Sequence, residues 1–132
     1  MKRYTYPAVM TPEEDGGFSV YFPDLEGCYT CGDDLSDAIY MAQAVLAYTL
    51  FDYERGRKDI PSPSELSSIN LKKGEFVNFI ACDTLEYQKK HNNKAVKKTL
   101  SIPEWMNEQA VSAGINFSQL LQEAIIDRLH LA

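Results

Sequence analysis

Three sets of side chains in this chain have the types and spacing that chemistry requires. Two-metal cleavage of a phosphodiester needs several carboxylates converging on one point, and Asp24, Asp33, Asp34 and Asp83 are available for it. Glu13–Asp15, however, fall in turn chemistry, and Asp33, Asp34 and Asp37 stand at the start of a helical pattern, where capping accounts for them. Cys28-x-x-Cys31 has the spacing of a metal or redox pair. Three residues apart on a strand, its thiols point to opposite faces, and only Cys82, His91 and His130 remain as further ligands. No Gly-rich phosphate loop, G-x-S-x-G or H-E-x-x-H occurs. The residues therefore predict no catalytic group, no metal and no cofactor. The rival reading is a metal-dependent nuclease built on Asp24, Asp33 and Asp83. The third set is Lys97, Thr99 and Ser101, which alternate with Leu100 and Ile102 as the two faces of a strand do. That pattern suits binding, not turnover.

The elements that would carry these groups divide by charge. The 132 residues hold 13 Lys+Arg against 19 Asp+Glu, a net charge of -6. A total of that sign argues against nucleic acid, where phosphate neutralisation dominates affinity. The total conceals a split: residues 1–88 hold 7 bases and 15 acids, net −8, whereas residues 89–132 hold 6 and 4, net +2. Lys89-Lys90-His91-Asn92-Asn93-Lys94 contains no apolar residue and reads as a linker. We therefore expect an acidic domain over 1–88, a linker over 89–94 and a basic domain over 95–132, each with its own partner. The first residues, Met1–Pro7, lack the apolar core of an export signal, and no apolar run approaches the ~20 residues of a membrane span. A cytoplasmic location follows as the expectation, and three thiols fit a reducing compartment.

In the acidic part, Tyr4–Met10 and Phe18–Phe22 read as a hairpin around Asp15-Gly16-Gly17, with Cys28–Cys31 as a third strand. Leu35, Ala38, Ile39, Ala42, Val45, Leu46, Leu50 and Tyr53 recur at helical spacing, giving an amphipathic helix of about five turns closed at Gly56. Glu75–Cys82 is apolar enough to predict a strand at the centre of the sheet. The order βββ-α-β is an α+β layer. Tyr21 and Tyr29 are candidate contact aromatics for a protein partner. Asp24, in the turn after Phe22, either hydrogen-bonds that partner or caps its own turn.

The basic part reads as a strand over 95–102, a helix from Glu104 to Ala113 ended by Gly114, and a last helix capped by Asn116. The 44 residues of 89–132, with one strand and two helices, bury too little to fold alone. Pairing two copies of the strand resolves this, with Leu100, Ile102, Met106, Leu121 and Ile125 as the dimer core. The outer face of the ribbon then shows Lys97, Thr99 and Ser101 twice, and a two-stranded ribbon fits the DNA major groove. The free amides at Asn116–Ser118 face a phosphate. Trp105 reads as a lid on that core or as a contact between neighbouring dimers.

Residues 96–129, with strand, Ile102-Pro103, short helix, Gly114, Asn116-x-Ser118 and apolar helix, resemble a ribbon-helix-helix DNA-binding domain. On that resemblance Lys97, Thr99 and Ser101 read bases while Asn116 and Phe117 anchor the backbone through main-chain N–H groups. The absence of Arg or Asn at the reading positions leaves the operator obscure. Phe22-Pro23-Asp24-Leu25-Glu26-Gly27-Cys28, then Thr30-Cys31-Gly32-Asp33 and the long helix, resemble the N-terminal domain of HicB-type antitoxins. Glu26 stands where that family often has proline. The combined resemblance implies a partial RNase H-like domain without a working nuclease site. It also implies a HicA-type mRNA-cleaving ribonuclease toxin as partner, operator DNA as a second partner and repression of the protein's own operon. A homodimer follows, with its pairing into a tetramer left open. The alternatives are an RNase H-like nuclease, or a stand-alone ribbon-helix-helix repressor whose acidic domain senses a ligand.

Overall fold

The structure, a computed structural model, describes residues 2–131. Its contacts divide the chain into two compact units that meet at Lys94 and Ala95.

The first unit is a four-stranded antiparallel sheet with helices. Strands β1 (Arg3–Pro12), β2 (Phe18–Tyr21), β3 (Tyr29–Gly32) and β4 (Phe76–Asp83) take the order β3-β2-β1-β4. The hairpin turn closes through Glu13 N–H to Gly17 O at 2.8 Å, with Gly16 at φ 89°, a value that favours glycine. Met10 registers with Val20 and Val20 with Thr30. The expectation of a central last strand is corrected. Among the described residues β4 pairs only with β1, so it is an edge, and Phe76 and Phe79 remain exposed on it. Its apolar run misled because β1, with Tyr6 to Met10 all buried, fills the middle position instead.

Helix α1 (Leu35–Arg55) covers one face. Asp34 Oδ1 accepts from Asp37 N–H at 2.8 Å while Asp37 Oδ2 accepts from Asp33 N–H at 2.8 Å, a cap shared by three aspartates that resembles a capping box shifted by one residue. Ala38, Ala42, Leu46 and Leu50 meet Tyr6, Ala8, Met10, Val20 and Ile80 in the core. The small residues allow a close approach. A Cβ on Gly32 would lie 2.3 Å from Ala38 N, so the first turn of α1 rests on the backbone of β3. The helix ends at Gly56 as expected, but Gly56 has φ −80° and the left-handed residue is Arg57.

Helix α2 (Thr84–His91) replaces half of the expected linker. Asp83 caps it, accepting from Leu85 and Glu86 N–H at 2.9 and 3.2 Å. Lys89 pairs with Glu86 at 3.1 Å, and Tyr87 contacts Tyr48 and Phe51 and stacks on His91. The polar run concealed it because one buried-side aromatic carries the packing. Glu54 ties the unit together: its Oε2 accepts from Tyr4 at 2.6 Å and Thr84 at 3.1 Å, with Lys2 Nζ 3.8 Å away.

The second unit holds α3 (Glu104–Ser112) and α4 (Phe117–Leu129). Gly114, at φ 72°, ends α3, with Ile115 N–H returning to Ala110 O at 3.0 Å as in a Schellman closure. The expected strand over 95–102 does not form in the single chain, where this segment belongs to no element. A strand needs a ladder partner, and the described residues supply none.

Candidate functional site

The turn after β2 shows how a short motif is spaced by its own packing. Phe22, Leu25 and Cys28 are each 2% exposed and enter the core. Phe22 N–H donates to Cys28 O at 3.0 Å and Leu25 N–H to Phe22 O at 3.1 Å, and Gly27 takes φ 71°. Asp24 points the other way. Its Oδ2 accepts from Ser64 N–H at 3.0 Å and its Oδ1 accepts from the Ser64 hydroxyl. The Tyr6 hydroxyl donates to Pro61 O beside it. Asp24 thus clamps the Ile60–Ser64 segment onto the sheet, a task no residue near it in sequence announces.

The three carboxylates of the nuclease reading are kept apart by separate duties. Asp24 holds Ser64, Asp33 lies beside the cap of α1, and Asp83 caps α2 while pairing with Arg3 at 3.6 Å. Among the described residues no three His, Cys, Asp or Glu side chains come close enough to hold a metal ion. The thiols face apart: Cys28 is buried and Cys31 exposed. Burial, and then the neighbouring Asp83, push the Cys82 thiol up to about 12.

Tyr21 and Tyr29 are register partners across β2 and β3. Val20, the residue before Tyr21, faces the core, so Tyr21 and its register partner Tyr29 project from the sheet face away from α1. They are 41% and 70% exposed. The pair places two exposed aromatic side chains side by side on one face of the β2–β3 ladder.

In the second unit no described residue is buried. Leu100, Ile102, Met106, Leu121 and Ile125, the residues of the expected dimer core, are 37% to 65% exposed, and Trp105 is 65% exposed. So much apolar surface on a segment this short is the signature of an interaction face. Lys97, Thr99 and Ser101 lie in the segment that precedes α3, outside any element. Asn116 caps α4, its Oδ1 accepting from Gln119 N–H at 3.1 Å. Phe117 is the first helical residue, and the Ser118 hydroxyl accepts from Gln122 Nε2 at 3.3 Å. The leading amides of α4 have no intrahelical acceptor.

A family model for HicB-like antitoxins of bacterial toxin–antitoxin systems matches residues 6–125, which runs through both units. The chain belongs to the HicB-like antitoxin family. It is 35% identical over 63 residues to antitoxin HicB 1 of Photorhabdus laumondii, covering 48% of this chain and 41% of that protein. It is also 38% identical over 64 residues to antitoxin HicB of Escherichia coli K12, covering 48% of this chain and 46% of that protein. These matches span less than half the length of either curated HicB relative. A chain of a toxin–antitoxin complex from Streptococcus pneumoniae superposes with a TM-score of 0.63 at 28% identity, covering 96% of this chain and 99% of that one. The Burkholderia pseudomallei antitoxin HicB shares the fold, with a TM-score of 0.53 at 17% identity over 96% and 98% of the two chains. The mixed α+β architecture of this HicB-like chain is thus that of solved members of the family. Among its described residues no helix is long and apolar enough to cross a membrane.

Proposed function

We propose that this chain is the antitoxin of a type II toxin–antitoxin pair, acting by binding and not by turnover. Its first unit, a partial RNase H-like domain, binds and inhibits a HicA-type mRNA-cleaving ribonuclease in the cytoplasm. Its second unit dimerises as a ribbon-helix-helix domain and represses its own operon. The observation that carries this reading is the family match extending from β1 into α4, across one unit that closes its own core and one that has none.

Each part has a physical rationale. Tyr21 and Tyr29 present rigid aromatic area to the toxin, and Asp24 supports them by fixing the loop beneath its Ser64 clamp. An acidic first unit attracts a basic ribonuclease, which raises association rate and specificity more than affinity. In the tail, pairing two copies of 95–102 gives the strand its missing ladder and covers Leu100, Ile102, Met106, Leu121 and Ile125. Lys97, Thr99 and Ser101 then face the major groove, while the amides at Asn116, Phe117 and Ser118 grip a phosphate. Removing residues 95–132 tests the division. Dimerisation and operator binding should vanish while toxin binding stays measurable by calorimetry. A truncated chain that still shifts operator DNA would refute the role given to the tail.

A further inference from the structure

The sheet has two unpaired edges, and they are chemically unlike. Among the described residues β3 pairs only with β2, and β4 only with β1. The bond from Phe22 N–H to Cys28 O at 3.0 Å sets the phase of the β2–β3 ladder. Bonded and non-bonded pairs alternate along an antiparallel ladder. Val20–Thr30 and Phe18–Gly32 are therefore the bonded pairs, and the N–H and C=O groups of Tyr29 and Cys31 point outward from the free edge. Tyr29, the more exposed of the two paired tyrosines, stands beside them.

From Tyr4 to Glu54 the chain contains ten acids and not one Lys or Arg. That stretch holds β2, β3, most of β1 and nearly all of α1. The hairpin turn lies against the end of β3, since a Cβ on Gly17 would sit 2.7 Å from Gly32 O and 3.8 Å from Asp33 Cα. Glu13, Glu14 and Asp15 from the turn and Asp33, Asp34 and Asp37 from the start of α1 therefore flank the same end of the edge. The β4 edge is entered through Lys72, Lys73 and Glu75 and left through Asp83, whose carboxylate already faces Arg3, so its charge is mixed.

We propose that the β3 edge is the docking line for an extended, basic segment of the toxin, which adds to the sheet as a fifth strand. The proposal rests on the antitoxin reading and names the contact it uses. Main-chain groups of Tyr29 and Cys31 supply the pairing, Tyr21 and Tyr29 pack on alternate side chains of the incoming strand, and the acids select its charge. The same strand at β4 would meet mixed charge instead of a run of acids.

Amide hydrogen exchange on the full chain tests this, with a HicA-type toxin disabled at its catalytic histidine as the probe. Protection at the Tyr29 and Cys31 amides should rise at least about tenfold on binding, while β4 keeps its rates. Cys31→Pro deletes one outward N–H and leaves the β2–β3 ladder bonds in place, a substitution an edge strand tolerates. It should weaken toxin binding about tenfold with operator binding unchanged, and Cys31→Val, which retains the N–H, should bind normally. If Cys31→Pro does not fold, the exchange data on the native chain decide alone. Tight toxin binding without protection at Tyr29 and Cys31 overturns the edge and spares the antitoxin reading. A chain that binds no toxin overturns both.

Discussion

Asp24 and Ser64 stand 40 positions apart and meet as carboxylate and donor pair. Nothing in either neighbourhood marks the partnership: a turn aspartate and a serine between prolines each have local explanations. Sequence reasoning left Asp24 between a turn cap and a partner contact, and neither option included Ser64. Hydrogen bonds to a charged acceptor contribute about 1.5–3 kcal/mol, so Asp24→Ala should lower unfolding free energy by about that amount in urea titrations. The opposed thiols, by contrast, were readable, because strand alternation alone puts Cys28 inward and Cys31 outward. Tyr4 adds a pH signature. Burial, then its hydrogen bond to Glu54, raises its hydroxyl to about 12, against about 10 for a free tyrosine. A folded value above the unfolded one means the contribution is complete below about pH 10 and is lost as pH rises through about 12. Cys82 acts in the same sense, from about 8.5 upward. Chemical stability should therefore decline through this alkaline window, and Tyr4→Phe should flatten the upper part of the decline.

Elements were legible where a period was long or a turn was specific. The stripe of α1 and the Asp-Gly-Gly hairpin depend on residues within one or two turns of each other, and both elements form where that pattern puts them. α2 and the edge position of β4 depend on tertiary partners: Tyr87 must find Tyr48 and Phe51, and β4 must lose the central position to β1. The closeness of α1 to β3 is equally hidden, because a glycine in sequence shows that space is tight only after the neighbour is known. Two substitutions separate these effects. Gly32→Ala drives a methyl into the Ala38 backbone and should cost about 1–3 kcal/mol or more, read as a fall in Tm. Asp34→Ala removes the α1 cap and should cost about 1 kcal/mol. If the two were equal, the close approach at Gly32 would carry no special weight.

The whole molecule combines a unit with a closed core and a tail without one. That contrast could be anticipated, since the 38 residues of 95–132 cannot bury enough surface alone, and the missing ladder over 95–102 goes with it. Tail melting should shift upward with protein concentration, whereas melting of the first unit should not. Ile125→Asp, placing a charge on the apolar face of α4, should abolish the proposed dimer in sedimentation and the proposed operator binding with it, yet leave the first unit's Tm within about 1 °C. Operator affinity should fall steeply with salt, as counterion release requires. The unburied tail also bears on how long the protein lasts. On the proposed pairing, a solitary chain leaves the tail without a buried core and so open to proteases on local unfolding, while a paired chain covers it. If the tail pairs as proposed, dilution should shorten the lifetime of the chain, read as a proteolytic half-life that falls as protein concentration falls.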